Sequence, residues 1–266
     1  MPVYWFALSQ VVNKNVPRAI LVFVILHLLI YPASNGYNSY MDRDETSIGG
    51  IKNPSLPTKQ LFYVTVFMDA IAILLSCFIS WYFLAGIIAY ILASRAYSYR
   101  GIRLKKYPLA GYLTVIIFQG AVTFFLVYHG SDAGKTLHAP IAGMLASSLL
   151  IGGFYPLTQV YQHEADLKDG VKTISYLLGY RGTFIFAMIV YGIAFAVLAY
   201  YFISSLEIKE FFALATCMLP VLVYFFIWAV KVWKDEKQAD FKNTMRMNLL
   251  ASCCTNIGFI VVFLMQ

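Results

Sequence analysis

The sequence predicts an all-α, polytopic membrane helix bundle of about nine transmembrane helices, and three observations carry that reading. Hydrophobic residues make up 60% of the 266-residue chain and charged residues only 12%, where a water-soluble domain carries about 25% charge. Apolar runs of helix length, roughly 17–25 residues in most cases, recur from end to end, and mean hydropathy is +0.69. Clean apolar–polar alternation is missing, which argues against an outer-membrane barrel. No hydrophilic stretch is long enough for a second folded unit, so residues 1–266 read as one integral-membrane domain.

Charged breaks bound nine apolar spans, near residues 2–10, 17–41, 61–77, 79–95, 108–128, 138–162, 182–204, 210–230 and 244–265. The first is apolar and aromatic, but eight residues of helix rise only about 12 Å against a hydrocarbon core about 30 Å thick. It is either a short stub or, the favoured expectation, part of a longer transmembrane helix that starts upstream, which sequencing of the native N-terminus tests. The second span runs from Pro17 into the acidic run Asp42-Arg43-Asp44-Glu45. The third follows Lys59 and carries Asp69 at its middle, where a carboxylate is expensive and must face the bundle interior. The fourth closes at Arg95, and the fifth follows the basic pair Lys105-Lys106. The sixth runs from His138 to a second acidic run, Glu164-Ala165-Asp166-Leu167-Lys168-Asp169. The last three are set off by Arg181, Lys209 with Lys231, and Lys242.

This order places the connections alternately on two sides. Sixteen of the twenty Lys and Arg fall on one side; the exceptions are Lys14, Arg18, Lys135 and Lys209. The positive-inside rule puts the rich side in the cytoplasm, and both acidic runs with it. The +7 net charge follows from this topology and from contact with anionic lipid, and does not indicate nucleic-acid binding. The four cysteines, Cys77, Cys217, Cys253 and Cys254, lie inside apolar spans without CxxC spacing or nearby histidine, as small buried hydrophobes do.

The two acidic runs hold six of the thirteen carboxylates, each closing a long apolar helix. Helical spacing puts His27, Tyr31, Asn35 or Ser34, Asn38 and Asp42 on one face. In the sixth span Tyr155, Gln159 or Thr158, Gln162 and Asp166 make a matching stripe, with Glu164 and Asp169 slightly around the helix or past its end. Interhelical hydrogen bonding would explain His27, Tyr31 and Gln159. It explains Asp42 and Asp166 poorly, because a buried carboxylate needs a cation. Magnesium prefers oxygen ligands and binds through one or two carboxylates plus substrate phosphates. Asn38 with Asp42, and Gln162 with Asp166, each offer an amide oxygen and a carboxylate one helical turn apart. The run from Tyr97 to Lys106 lies on the same side, with phenols at Tyr97 and Tyr99 and cations at Arg100, Arg103 and Lys105 for phosphate oxygens. A coarse internal duplication is expected, each half carrying one such helix and one basic loop.

These residues resemble the UbiA superfamily of intramembrane prenyltransferases. Its first motif, N-D-x-x-D-x-x-x-D, is matched at Asn38 and Asp42, with Ser39 and Thr46 standing where the other two aspartates would be. Its second, D-x-x-x-D, is matched as Gln162 to Asp166; Tyr99-x-x-x-Arg103 is similar to its Y-x-x-x-K/R loop. Gly170-Val171-Lys172-Thr173 is similar to its Gly-Lys-x-Thr, and Asn53 to Thr58 to its Asn-Arg-Pro-Leu-Pro-Ser. The resemblance spans nearly the whole chain.

It implies Mg²⁺-dependent transfer of an isoprenyl group from a prenyl diphosphate to a hydrophobic or aromatic acceptor within the bilayer, in the bacterial inner membrane. The implied metal ligands are Asn38, Asp42, Asp166, Glu164 and Asp169, and Asp42, Asp166 and Tyr99 are the implied catalytic residues. Donor binding falls to Asn38, Tyr97, Arg103, Lys105, Gln162 and Lys172. A terpene cyclase on the same fold and a non-catalytic lipid transporter are the alternatives. The missing aspartates leave open how many ions bind.

Overall fold

The computed structural model describes residues 1–43, 51 and 54–266. Asp44, Glu45, Thr46, Lys52 and Asn53 lie outside the described residues. Among those described, the chain is helical throughout, with one isolated bridge between Lys14 and Asp132. Nine helical stretches follow one another: α1 Pro2–Ser9, α2 Val16–Asp42, α3 Lys59–Ser76, α4 Trp81–Ser98, α5 Pro108–Ser131, α6 Ile141–Lys168, α7 Ile174–Ser204, α8 Ile208–Lys234 and α9 Phe241–Met265. Seven are long and apolar enough to cross a membrane; α1 is short, and α4 is diluted by Arg95 and its serines. The all-helical membrane bundle expected from composition is therefore the observed fold. Its outward faces carry large apolar side chains such as Leu177, Tyr200, Phe212, Phe226 and Trp233, as a bilayer solvent requires.

The helix starts are written locally. Asn15, Ser80, Thr173 and Asp240 each accept a hydrogen bond from a backbone N–H three residues on, satisfying donors that lipid cannot. α7 is broken at Gly179, whose φ of 70° is open to glycine and strained for other residues. The expected span from residue 182 is the part of α7 beyond that break.

Three helices leave regular α geometry, and two do so beside prolines. Pro32 has no N–H, and in a regular helix its ring would press on the carbonyl four residues back. The preceding segment Val24–Ile30 widens into π-helix, and the Tyr31 N–H reaches Leu26 O. Pro156 opens a 3₁₀ segment, Tyr155–Gln162, far longer than the usual three or four residues. In α5 the segment Ile117–Val122 is also π-helical, and the Ala121 N–H donates to Ser148 Oγ of α6 at 3.0 Å.

α1 fills the middle of the bundle away from α3 and α4. Phe6 is fully buried between Phe124 at 5.2 Å and Phe259 at 4.7 Å, with Phe202 stacked at 6.1 Å. The Tyr4 hydroxyl donates to Ala19 O at 2.8 Å. A second aromatic core joins α7 to α8, where Phe184 meets Trp228 edge-on at 4.8 Å.

Asp69, the carboxylate expected to face inward, does so: it is ion-paired with Arg95 of α4. The guanidinium lies over the Tyr37 ring of α2 at 3.9 Å, so one half-buried cation ties three helices together. Removing one partner strands the other charge. Asp69→Ala is expected to lower unfolding stability in detergent by about 3 kcal/mol, and Asp69→Leu with Arg95→Met to recover most of it.

Gly120 meets the backbone of Ser148, so a Cβ there would overlap main-chain atoms. Gly120→Ala should therefore destabilise by about 1–3 kcal/mol, whereas Gly192→Ala, with open space around the position, should leave the melting temperature unchanged.

Candidate active site

α2 and α6 end on the same side of the bundle, and between them lies a cavity of about 510 Å³. From α2 it takes Asn35, Asn38, Ser39 and Asp42; from α6 Tyr155, Thr158, Gln159, Tyr161, Gln162 and Asp166. Tyr97 of α4, Lys105 of the α4–α5 loop, and Met245 and Asn248 of α9 complete the wall. The α6 contribution differs from the expected α-helical stripe. In a 3₁₀ helix residues three apart eclipse one another, so Tyr155, Thr158 and Tyr161 form one row and Gln159 with Gln162 the next. Both rows reach the cavity because Pro156 prevents the α form.

The α4–α5 loop folds over the mouth. Arg103 takes a left-handed conformation with φ 50° and is 8% exposed. It is ion-paired with Asp169, donates to the Asp169 carbonyl at 3.1 Å and approaches Asp42 Oδ1 at 3.5 Å. Burial works against its charge, but the hydrogen bond and field of Asp169, with those of Asp42, hold its pKa above the ordinary value. Lys105 is ion-paired with the same Asp42 oxygen. Arg100 donates to Met41 O at 2.7 Å and so caps the end of α2. Asn38 is fixed through Oδ1, which accepts from Ser98 Oγ at 2.7 Å.

The site residues expected from the sequence thus divide. Asn38, Asp42, Tyr97, Lys105, Gln162 and Asp166 line one cavity. Arg103 and Asp169 brace its rim as a pair. Tyr99 is half exposed and packs on Gly101 outside the cavity. Lys172 is exposed and its neighbours Val171 and Thr173 take the cavity wall instead. Glu164 points into a separate cavity of about 500 Å³ on the other flank of α6, with Lys168, Tyr180, Glu236 and Asp240. Glu164 and Asp166 lie two residues apart in the α-helical turn His163–Lys168, which sets them on opposite sides of the helix axis. Asn248 and Ser98 were missed, although an Asn inside the apolar run of α9 is a signal of an inward-facing position.

Tyr97 and Tyr155 hydrogen-bond through their hydroxyls, and both also line a second chamber of about 200 Å³. The two chambers share Asn35 and Asn38 as well.

The donors facing the larger cavity are carboxylate and amide oxygens, a hard set that suits Mg²⁺ better than a softer metal. Among the described residues no group of three or more His, Cys, Asp or Glu is gathered to hold a metal ion. The residues fit an ion held by one or two carboxylates that completes its shell with water and substrate oxygens. Asn38, Gln162 and Asp166 are its candidate ligands, and Asp42 lines the same cavity while pairing with Lys105 and Arg103.

The family model for the UbiA prenyltransferase family matches residues 1–250. No curated protein matches the chain by sequence. Among solved structures, the apo UbiA homologue from Aeropyrum pernix K1 superposes with TM-score 0.74 at 18% identity, covering 98% of this chain and 95% of that one. A UbiA homologue from Archaeoglobus fulgidus bound to GPP and Mg²⁺ gives 0.65 at 20%, with coverage of 98% and 93%. A structure of digeranylgeranylglyceryl phosphate synthase gives 0.65 at 17%, with 99% and 90%.

Arg103 is the keystone between the α4–α5 loop and the end of α6. Arg103→Ala should lose amide-exchange protection over residues 99–107 and 165–170 while the helix interiors stay protected.

Proposed function

Because the chain belongs to the UbiA prenyltransferase family, we propose that it transfers an isoprenyl group from a prenyl diphosphate to an acceptor inside the membrane, with Mg²⁺ as cofactor. The observation that carries this reading is the shared cavity, whose wall takes Asp42 and Asp166 from two separate helices together with amides, phenols and Lys105. The A. fulgidus homologue bound to GPP and Mg²⁺ supports the donor class and the metal. The basic bias of this end of the bundle supports a cytoplasmic mouth, and we place the protein in the bacterial inner membrane. The whole of residues 1–266 is read as one catalytic domain.

In this reading Asp166, Gln162 and Asn38 hold the ion at the cavity mouth. Mg²⁺, when bound there, supplies positive charge against the diphosphate as it leaves. Lys105 turns from Asp42 to the incoming phosphate oxygens, a point charge on a flexible stem, and Arg103 keeps Asp42 neutralised as it does so. The donor carbon–oxygen bond breaks with its electron pair on the diphosphate. The Tyr97 and Tyr155 rings present π faces to the allylic cation. The acceptor supplies the electron pair of the new bond and loses one proton to solvent. The Tyr97–Tyr155 hydroxyl bond holds both rings in place.

Asp42→Asn and Asp166→Asn should each lower Mg²⁺-dependent pyrophosphate release from geranyl diphosphate by about 100-fold or more with helicity unchanged, and Asp42→Asn, which strands Lys105 and Arg103, should lower the melting temperature as well. Wild-type turnover in both variants would defeat the metal-site reading. The same assay run without acceptor separates transfer from cyclisation, since accumulation of a hydrocarbon or terpene alcohol would favour the cyclase.

A further inference from the structure

Residues 163–178 lie between two breaks in regular helical geometry. On one side the 3₁₀ segment Tyr155–Gln162 ends and the turn His163–Lys168 follows it. On the other, Gly179 interrupts α7 with φ 70° and ψ 175°. Between the breaks the chain supplies Asp166, Val171 and Thr173 to the wall of the larger cavity. A stretch set off in this way is not continuous with the α-helical ladder of either long helix, so side chains must fix its rotation.

Arg103, paired with Asp169, holds this stretch from the cavity mouth. The other hold comes from a residue outside the cavity wall. His163 is buried, and its ring stacks on Tyr180 at 4.7 Å and meets Tyr176 edge-on at 5.7 Å, so it touches α7 on both sides of the break. Its Nε2 lies 2.8 Å from Ser175 Oγ, which in turn lies 3.0 Å from Thr183 Oγ1. Ser175 and Thr183 are fully buried. Thr183 Oγ1 donates to Gly179 O at 2.7 Å, with Ser175 O further off at 3.1 Å.

Each hydroxyl has one hydrogen to give. Thr183 gives its own to a backbone carbonyl, so it accepts from Ser175. Ser175 has then given its hydrogen to Thr183, so it accepts from His163. The chain of bonds therefore runs one way, from the imidazole Nε2–H through two hydroxyls to a carbonyl at the break. It requires the tautomer that carries its proton on Nε2.

We propose that His163 is a positioning residue for the second acidic motif: by donating to Ser175 it latches the last turn of α6 to the break in α7, and so sets where Asp166 stands in the cavity wall. The inference rests on the prenyl-diphosphate reading for what Asp166 binds, and on the hydrogen-bond chain alone for the latch. Asp166 follows His163 by three residues, within one helical turn, so rotation at His163 carries the carboxylate with it. Groups standing behind a metal-binding side chain are commonly worth about 10–100-fold in metal affinity.

The test compares full-chain variants in detergent by calorimetric titration with magnesium pyrophosphate and by amide exchange. His163→Phe keeps a ring against Tyr180 and loses the donor; His163→Gln loses the ring and keeps an N–H donor. Ser175→Ala removes the acceptor. Tyr201→Phe gives up a buried hydrogen bond to Gln10 near the far end of α7 and reports on lost stability alone. His163→Phe and Ser175→Ala should each bind magnesium pyrophosphate about tenfold more weakly and lose exchange protection over residues 165–178. His163→Gln should restore most of the affinity, and Tyr201→Phe should match the wild type. Wild-type affinity in both His163→Phe and Ser175→Ala, equal weakening in Tyr201→Phe, or tighter binding by His163→Phe than by His163→Gln overturns the proposal. A wild-type protein that binds no magnesium pyrophosphate would defeat the prenyl-diphosphate reading instead, and exchange would then decide the latch. Protection lost over 165–178 in His163→Phe and kept in Tyr201→Phe upholds it; protection kept in both overturns it.

Discussion

Hydrocarbon offers no hydrogen bonds, so a helix that gives up a backbone bond inside the bilayer must recover it locally, and the site depends on how two helices do so. Pro32 and Pro156 both interrupt the ladder of a long helix that ends at the cavity. α2 answers by widening to π geometry before its proline; α6 answers by tightening to 3₁₀ geometry from its proline onward. Each answer rotates the residues that follow. That rotation, more than the residue spacing, decides which polar side chains meet: Asn38 and Asp42 from one helix, Thr158, Gln162 and Asp166 from the other. A third departure, in α5, does the same for Gln119.

Charge obeys the same constraint. Near the mouth, Asp42 is held by Lys105 and Arg103, and Arg103 in turn by Asp169. The arrangement leaves the first acidic motif already neutralised by protein cations, in a chain where Ser39 and Gln162 replace carboxylates of the family pattern. A site lined by two carboxylates has less negative charge for metal ions to balance than one lined by the full family pattern, and Lys105 brings a protein cation to the same wall. Deeper in the bundle, Asp69 and Arg95 answer one another, with the Tyr37 ring over the guanidinium. That pair is a brace, and it absorbs the one mid-membrane carboxylate without giving it a place in the cavity wall.

The bundle around these groups is fitted by aromatic packing and close backbone approach. Phe6 sits among three phenylalanines from α5, α7 and α9, and Gly120 lets α5 lie directly against α6 at Ser148. The approach matters to the chambers because Gln119 and Gly120 are neighbours. The contact that brings α5 against α6 fixes the helix from which Gln119 lines the smaller chamber.

The sequence by itself determined the solvent and the fold class. Low charge, recurring apolar runs and the skewed distribution of Lys and Arg need no tertiary information, because transfer into hydrocarbon is paid residue by residue. Asn38, Asp42 and Asp166 were legible for the same reason: a carboxylate at the end of an apolar helix is costly wherever the helix packs. Tertiary structure alone decided the finer placements. Glu164 and Lys172 were expected at the site and lie outside its cavity wall: Glu164 sits two residues from Asp166 on the opposite side of the same α-helical turn, and Lys172 is exposed between buried Val171 and Thr173. Arg95 read as a loop flank and is a buried partner of Asp69. Gln119 drew no attention in the sequence, and only the π turn and the facing α4 and α6 make it part of a chamber. Burial cost is a property of each residue, so sequence carries it; direction is a property of the backbone and its neighbours, so only the folded bundle does.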